Sequence, residues 1–347
     1  MLVDSPPEER AETAPAPPTR RAIRAIGLLV ALVVLALVAL ASIAIGAKEL
    51  SPEQVWHGLF QDTGTYGDVV VDERLARTAL GLLAGVALGL SGAVLQALTR
   101  NPLADPGLLG INAGASAAVV TAITYFGVTS LNGYVWFAFV GAAAVGALVW
   151  FLGGSRSATP VRLALAGTAI SAALYGYLQA VMITDEAALN KMRFWTVGSL
   201  ASATNSTTLQ VLPFIAAGTV LSLVLARPLN AVAMGDDTAK ALGANLNRTR
   251  ALSMLAATML CGAATAACGP IAFVGLMVPH VVRSFTGPDL RWILPYAAIL
   301  SPVLLLGADV LGRTVARPSE LQVGIITAII GGPVFIFLVR RRRTAQL

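Results

Sequence analysis

Residues 100–110 read Arg-Asn-Pro-Leu-Ala-Asp-Pro-Gly-Leu-Leu-Gly and lie between two long apolar segments. Pro102 and Pro106 each remove a backbone donor and disfavour helical geometry in the residue before them, so the stretch predicts a break in helical structure. Inside a bilayer, a broken backbone is tolerated only where protein or a water-filled path satisfies its polar groups. The stretch therefore predicts either a tight turn at the membrane edge or part of a transport path.

The composition predicts that lipid is the solvent for most of the chain. Of the 347 residues, 56% are hydrophobic and only 12% are charged, whereas soluble domains carry about 25% charged residues. The basic residues behind the net charge of +6 are scattered between apolar runs, so nucleic acid is not an expected partner. Apolar segments that approach the roughly 20 residues needed to cross a bilayer are 25–46, 77–98, 107–127, 133–153, 161–183, 207–226, 250–268, 270–286, 292–312 and 321–339. We expect an all-α polytopic integral membrane protein with about ten transmembrane helices.

The start of the chain differs in character from the rest. Residues 1–24 are polar and rich in Pro, Glu and Ala, which is typical of a disordered tail. The apolar run that follows is longer than the core of a signal peptide, so we expect a retained first helix and a transmembrane domain over 25–343. The positive-inside rule then favours cytoplasmic termini. In that orientation the outer side holds few cations: Lys48, Arg74, Arg77, Lys191, Arg193, Arg313 and Arg317.

Several classes of chemistry lack the residues that they need. There is no phosphate-binding GxxxxGK[S/T] motif, and the sequence lacks CxxC and HExxH patterns, so neither bound ATP nor a resident metal or cofactor is expected. Cys261 and Cys268 are expected as small core residues. Few acidic residues interrupt the apolar segments, which disfavours an ion-gradient-driven secondary transporter but keeps it as an alternative. A GxSG pattern at Ser91 could serve an intramembrane protease only if His280 reached it.

Two features on apolar segments predict helix packing. Small residues recur every four positions in the second segment, which lets helix backbones approach closely in lipid. These residues are Gly81, Gly85, Gly89, Ala93 and Ala97. In a later segment Asp309 and Arg313 are four residues apart, a spacing that favours an ion pair on one helix face.

The longest polar loop on the predicted cytoplasmic side is 234–248. Its acidic residues sit where a helix would begin, its apolar residues give a short amphipathic helix, and a glycine would end that helix. The residues concerned are Asp236, Asp237, Ala239, Ala241, Leu242 and Gly243. Such a helix could dock into another protein, or it could be an ordinary surface helix.

Four motifs in order resemble one known family. They are NPLADPGLLG at 101–110, GPIAFVGLMVPHVVR at 269–283, the Asp309…Arg313 pair, and ELQVGI at 320–325 continuing to GGPVF at 331–335. From about residue 25 to 340 the chain resembles the permease subunit of the FecCD family. These are type II ABC importers for iron–siderophore complexes, haem and cobalamin.

The resemblance implies a transport subunit and not an enzyme. Family members have ten transmembrane helices with both ends inside the bacterial cytoplasmic membrane, and two permease subunits pair. Two cytoplasmic ATPase subunits dock on the loop that corresponds to 234–248, and an extracytoplasmic binding protein delivers the cargo, most often a ferric siderophore. Transport then proceeds by alternating access in a lipid-embedded dimer. Within the loop, the coupling residues are expected to be Asp236, Asp237, Ala239, Leu242 and Gly243.

The resemblance also assigns residues outside the loop. Outer arginines of the family pair with acidic residues of the binding protein, and the matching positions are Arg74, Arg77 and Arg313. The family usually has proline where this chain has Ala76. Local pairing of Arg313 with Asp309, and of Arg74 with Asp72 or Glu73, is the alternative. Asn101 and Leu103 are expected to form a cytoplasmic gate. Pro279 and His280 are expected to be structural residues near the inner face.

Overall fold

The computed structural model describes residues 20–61, 64–128, 130–153 and 160–344. Within these residues all regular structure is helical, which confirms the predicted all-α class. The helices are α1 (Arg20–Ala44), α2 (Pro52–Phe60), α3 (Tyr66–Thr99), α4 (Ile111–Phe126), α5 (Leu131–Leu152), α6 (Pro160–Thr184), α7 (Glu186–Trp195), α8 (Asn205–Val224), α9 (Ala226–Ala233), α10 (Asp236–Ala241), α11 (Leu246–Cys268), α12 (Val274–Thr286), α13 (Leu290–Val315) and α14 (Val323–Thr344). A short 3₁₀ turn, Pro106–Leu109, precedes α4.

Seven of the described helices are long and apolar enough to cross a bilayer: α1, α3, α5, α6, α8, α11 and α13. Ile111–Phe126 and Val323–Phe337 are shorter apolar helices. Each apolar segment predicted from the sequence coincides with a helix, and α11 and α12 are separate because Gly269 adopts a φ of 73° after Cys268. The chain is therefore a multi-pass membrane protein.

The boundaries differ from the predictions at the first two membrane segments. Helix α1 begins at Arg20, inside the segment predicted as a tail; residues 1–19 lie outside the described part of the chain. Helix α3 begins at Tyr66 instead of 77, because a capping box between Thr65 and Asp68 starts it before its apolar portion. Ala76 keeps its backbone donor, so the helix is continuous through the position where the family usually has proline.

Three short helices were not predicted. Helices α2, α7 and α9 each have only eight to ten residues, too few to cross a bilayer. Local caps start the first two: Ser51 forms a capping box with Gln54, and Asp185 accepts from two backbone amides of α7.

Helix α3 lies at the centre of the bundle and packs along α13 in the antiparallel direction. A side chain at Gly81 would meet Leu306, one at Gly85 would meet Pro302, and one at Gly89 would meet Ser301. The predicted small-residue stripe is thus the surface on which α13 lies. Further along, α3 also contacts α11, α12 and α8.

The closest backbone approach in this region joins α3 to α12. A Cβ atom placed on Gly92 would overlap the carbonyl of Gly275 and lie 2.6 Å from its Cα. Because both contacting atoms belong to a backbone, no side chain can move to make room. Close approach of this kind is how helices gain packing energy in lipid, where the hydrophobic effect does not drive their association.

We expect Gly92→Ala to destabilise the protein by about 1–3 kcal/mol, the usual cost of overpacking a well-packed interior. Thermal unfolding of the purified protein in detergent measures this as a lower unfolding temperature. Gly307→Ala is the matched control, because a Cβ atom at Gly307 meets nothing within 4 Å. Gly307→Ala should leave the temperature unchanged or raise it slightly, since alanine favours helix more than glycine does. Equal effects of the two substitutions would contradict the close-approach interpretation.

Candidate functional site

Polar side chains collect at the two opposite ends of α3. We call the end near its start the Arg77 end, and the end near its last residue, Thr99, the Asp236 end. The predicted arginines lie at the Arg77 end, whereas the broken stretch and the polar loop lie at the Asp236 end. The sequence predictions for both ends can therefore be compared with the geometry.

At the Arg77 end, a fully buried carboxylate is neutralised by two guanidinium groups. Arg77 donates to Asp309 from Nε at 3.0 Å and from Nη2 at 2.7 Å, which makes a two-pronged, charge-assisted contact. Arg313, one turn further along α13, places Nη2 at 3.0 Å from the same carboxylate. The predicted Asp309–Arg313 pair is confirmed, and Arg77 is a second partner that the sequence did not reveal.

The same cluster reaches two further elements. Arg77 donates from Nη1 to Glu320, just before α14, at 2.7 Å. Arg313 donates to the carbonyl and the hydroxyl of Ser42 in α1, at 3.1 and 3.0 Å. We call Ser42, Arg77, Asp309, Arg313 and Glu320 the outer ionic cluster. It joins α1, α3, α13 and the segment that leads into α14.

Arg74 forms contacts other than the local ion pair that the sequence suggested as an alternative. Instead of binding Asp72 or Glu73, it donates to the carbonyls of Ile43, Ala44 and Lys48 at 2.6–3.0 Å. These carbonyls lie at and just beyond the end of α1, where the last C=O groups of a helix lack intrahelical partners. Arg74 therefore caps α1.

The predicted docking arginines are buried, yet they line a cavity. Arg74, Arg77 and Arg313 have relative exposures of 6%, 9% and 1%. All three line a cavity of about 530 Å³ together with Lys48 and Glu320. A partner could reach them only through this opening, so their assignment to docking stays a prediction.

At the Asp236 end, the broken stretch forms a compact turn held by its own side chains. Asn101 Oδ1 accepts from the Leu103 amide at 2.9 Å, and Asp105 Oδ1 accepts from the Gly107 amide at 2.7 Å. Asn101 and Leu103 are exposed. A cavity of about 370 Å³ lies between Asn101, Asp105 and residues of α6 that include Thr168. The turn thus borders open space, as expected of a gate, and the gate role of Asn101 and Leu103 stays a prediction.

Helix α10 has the start and stop predicted for it. It begins at Asp236 after Gly235, and Gly243 follows with a φ of 79°. The Gly243 amide donates to the Lys240 carbonyl and the Ala244 amide donates to the Ala239 carbonyl, both at 2.9 Å. These two bonds form a Schellman motif, which satisfies carbonyls at the end of the helix.

The two faces of α10 have different surroundings. Ala239 is completely buried in a small apolar cluster with Val232 and Leu246, whereas Asp237 and Leu242 are exposed. The helix is thus fixed to the bundle on one side and presents its other side outward. This geometry fits a docking helix, and the docking role stays a prediction.

Asp236 forms the principal ionic contact at this end. Its carboxylate binds Arg100, the residue after α3, and Arg250 in the first turn of α11, with Arg250 Nη2 at 2.8 Å. Burial opposes ionisation of Asp236, but hydrogen bonds from Arg250 and Arg100 outweigh it and keep the pKa of the carboxyl below its ordinary value. The sequence identified Asp236 as a helix-start residue and as an expected coupling residue, but it did not reveal these two arginine partners.

Helix α6 exposes polar side chains along a membrane-spanning length. Thr168, Tyr175 and Gln179 are exposed on one face of the helix together with small residues such as Ala172, whereas Tyr177 lies on the opposite side. Tyr177 shares a hydrogen bond of 2.8 Å with Thr121 of α4. Lipid-facing positions normally carry apolar side chains. The face of α6 that carries Thr168 and Gln179 is therefore better suited to water or protein than to lipid.

The other residues discussed from the sequence lie in buried or half-buried positions. Pro279 is buried within α12 and His280 is half-buried beside it. Ser91 is completely buried and its hydroxyl donates to the Leu88 carbonyl at 3.0 Å, so it shows no arrangement for nucleophilic catalysis. Cys261 and Cys268 are free and buried, as expected of core residues.

Loss of the Asp309 charge should destabilise the outer ionic cluster. Asp309→Asn leaves two buried guanidinium groups without their shared carboxylate, and breaking such a pair typically costs about 3–5 kcal/mol. The Glu320 side chain is 34% exposed, so we expect Glu320→Gln to have a smaller effect. Thermal unfolding in detergent compares the two. The same loss in both variants would mean that the burial of Asp309 does not govern the cluster.

Comparisons with known proteins identify the family of the chain. The profile of the FecCD transport family matches residues 32–341. The chain is 47% identical to the ferric enterobactin transport system permease protein of Escherichia coli over 93% of its length and 96% of that protein. It is 38% identical to an Fe(3+)-citrate import system permease protein of Bacillus subtilis over 94% and 98% of the two chains.

Two further relatives extend the comparison. A hemin transport system permease protein of Yersinia pestis is 38% identical over 87% of this chain and 91% of that one. Among solved structures, a metal-chelate type ABC transporter in an inward-facing conformation superposes with a TM-score of 0.81, at 28% identity, over 91% of this chain and 99% of that one. The chain therefore belongs to the FecCD transport family and is the membrane-spanning permease subunit of an ABC importer of the bacterial cytoplasmic membrane, a transport component and not an enzyme.

Proposed function

We propose that this chain is one half of a permease dimer that imports a ferric siderophore by alternating access. In this arrangement ten helices cross the membrane, and the Asp236 end and both termini face the cytoplasm. The Asp236 end holds most of the loop arginines, including Arg100, Arg248 and Arg291, in agreement with the positive-inside rule. The transmembrane domain spans 25–343.

The cargo proposal rests on the relatives. The relative that is 47% identical is named for ferric enterobactin, and others are named for iron citrate, iron hydroxamate and hemin. All of these cargoes are iron chelates. The match to the enterobactin permease covers nearly both chains, so a ferric siderophore is the favoured member of this class.

A second permease subunit would complete the path. The exposed polar face of α6, with Thr168, Tyr175 and Gln179, needs a protected surrounding in the bilayer. Pairing with another permease subunit would enclose this face in a central cavity and remove it from lipid. The hydroxyl and amide groups could then contact a hydrated chelate in passage.

Two ATPase subunits would drive the switch through α10. The observation that carries this proposal is the position of α10: an amphipathic helix, buried through Ala239 and exposed through Asp237 and Leu242, at the same end of the bundle as the broken turn. Closure of the ATPase pair would displace α10. The turn with Asn101 and Leu103 would then open or narrow the cytoplasmic mouth of the path.

Uptake by the reconstituted complex tests this function. The permease, its ATPase subunits and its binding protein are placed in proteoliposomes, and entry of radioactive ferric enterobactin is measured with and without ATP. We expect uptake that needs ATP and the binding protein and that persists when a protonophore collapses the proton gradient. Uptake that follows the ion gradient in the absence of ATP would contradict the proposal and support the secondary-transporter alternative.

Gly243→Val should uncouple the ATPase subunits from transport. A β-branched residue fits the positive φ of Gly243 poorly, and a Cβ atom there meets nothing within 4 Å, so the backbone conformation alone is perturbed. We expect weaker co-purification of the ATPase subunits with normal membrane insertion. Gly243→Asn is the control, because asparagine tolerates this region better. Wild-type ATPase binding by Gly243→Val would show that the end of α10 does not position the docking surface.

Arg74, Arg77 and Arg313 remain our proposed contacts for the binding protein, and Arg74 gives the sharpest test. Its hydrogen bonds go to carbonyl groups, and among the described residues no carboxylate is hydrogen-bonded to its guanidinium. We expect Arg74→Gln to weaken capture of the binding protein about tenfold, which corresponds to 1.4 kcal/mol, and less at high salt because screening removes long-range attraction. Arg317→Gln is the control, since Glu49 already pairs with Arg317. Equal affinity of Arg74→Gln and wild type at low salt would exclude Arg74 as a docking contact.

A further inference from the structure

Asp236 connects three separate elements through one carboxylate. One oxygen binds Arg100 at the end of α3, and the other binds Arg250 in α11 at 2.8 Å, while Asp236 itself begins α10. The Arg250 side chain is only 9% exposed, whereas the Asp236 side chain is 39% exposed. Charge-assisted hydrogen bonds to a shared carboxylate are among the stronger polar contacts in proteins. Any displacement of the start of α10 therefore acts on both arginines.

Arg100 is attached to the α9–α10 segment at a second point. Its Nε donates to the Val232 carbonyl at 2.8 Å. Val232 is fully buried against Ala239 of α10. Arg100 thus contacts this segment both before and at the start of α10, and a movement of the segment cannot leave Arg100 in place without breaking both contacts.

The backbone of Arg100 is the boundary between α3 and the broken turn. It has a φ of 50°, in the left-handed region that non-glycine residues seldom adopt. The next residue is Asn101, whose side chain accepts from the Leu103 amide and shapes the turn. Arg100 therefore joins α3 to the turn at a backbone conformation outside the ordinary helical region.

We infer that Asp236 is a positioning residue that links α10 to the 101–110 turn through Arg100, and to α11 through Arg250, so that movement of the docking helix moves the gate. This role rests on the proposed function and differs from the ATPase contact expected for Asp236 from the sequence. The carboxylate faces the bundle's own arginines, and the neighbouring Asp237 is the acidic residue on the exposed side of α10.

A labelling assay separates this link from docking and from the identity of the cargo. Leu103 is 37% exposed in the turn, so Leu103→Cys provides a reporter thiol, and the two native cysteines are buried. The complex with its ATPase subunits is reacted with a maleimide, without cargo, in the nucleotide-free and ATP-bound states. In the otherwise wild-type background, we expect the labelling rate at the reporter to change on ATP binding.

Arg100→Gln and Asp236→Asn should each abolish this ATP-dependent change while the ATPase subunits still co-purify and hydrolyse ATP. The double variant should show no further loss, because each single variant already removes the contact between Arg100 and Asp236. Asp236→Glu keeps the carboxylate and should retain at least part of the response. If Asp236→Asn does not fold, Arg100→Gln decides the test, since it leaves the Asp236–Arg250 contact intact.

Arg291→Gln is the matched control for loss of an arginine at the same end. Arg291 binds Asp289, two residues away, at 2.8–3.1 Å, and these bonds, with contributions from a backbone amide and Asn230, lower the pKa of Asp289 to about 2. The Arg291 contact is local, so its loss should leave the labelling response unchanged. An ATP-dependent change that survives in both Arg100→Gln and Asp236→Asn would overturn the link, as would loss of ATPase co-purification in both. Absence of ATP-driven uptake by the wild-type complex would instead refute the proposed function.

Discussion

A charge inside a low-dielectric bundle has to be neutralised by the protein itself, and Asp309 is where this constraint is most severe. Its carboxylate has no exposure, and Arg77 and Arg313 both contact it. Because those arginines also reach Glu320 and Ser42, one buried charge fixes α1, α3 and α13 relative to each other. Asp236 has the same two-arginine pattern at the opposite end, but with 39% of its side chain exposed. The buried cluster is suited to holding helices still, and the more accessible contacts of Asp236 are suited to moving together with α10.

Between these two ends, close packing of the helices depends on glycines, which have no side chain. The glycines of α3 place α13 and α12 so close that added atoms would overlap backbone or side-chain atoms. Such contacts have little room to deform, and packed interiors change by switching between arrangements instead of by gradual compression. We therefore regard α3, α12 and α13 as one rigid unit. Movement during transport then falls to elements that pack less tightly around it, such as α6 and the turn beside it.

The sequence predicted the features that depend on residues close together in the chain. It did not predict the contacts that form only when separate helices pack together. The ten apolar segments, the stop at Gly243 and the Asp309–Arg313 pair all follow from local composition or from helical periodicity. The contact of Arg77 with Asp309 joins residues 232 positions apart, and that of Arg100 with Asp236 joins residues 136 apart. Nothing in local spacing reveals such partners, because only the packing of whole helices brings them together. The first turns of α3 contain charged residues, so the apolar pattern did not predict them. A capping box stabilises the start of this helix.

The exposed polar face of α6 has a consequence for how this fold can diversify. Residues such as Thr168 and Gln179 lie outside the packed core, so replacing them removes few of the contacts that hold the subunit together. A side chain that contributes little to the free energy of folding can be replaced to suit a different cargo. Relatives named for citrate, hydroxamate, enterobactin and hemin systems match this chain over most of its length. In the proposed dimer, the residues that stabilise the subunit and the residues that line the path are different, so the fold can acquire new cargoes while its packed core stays the same.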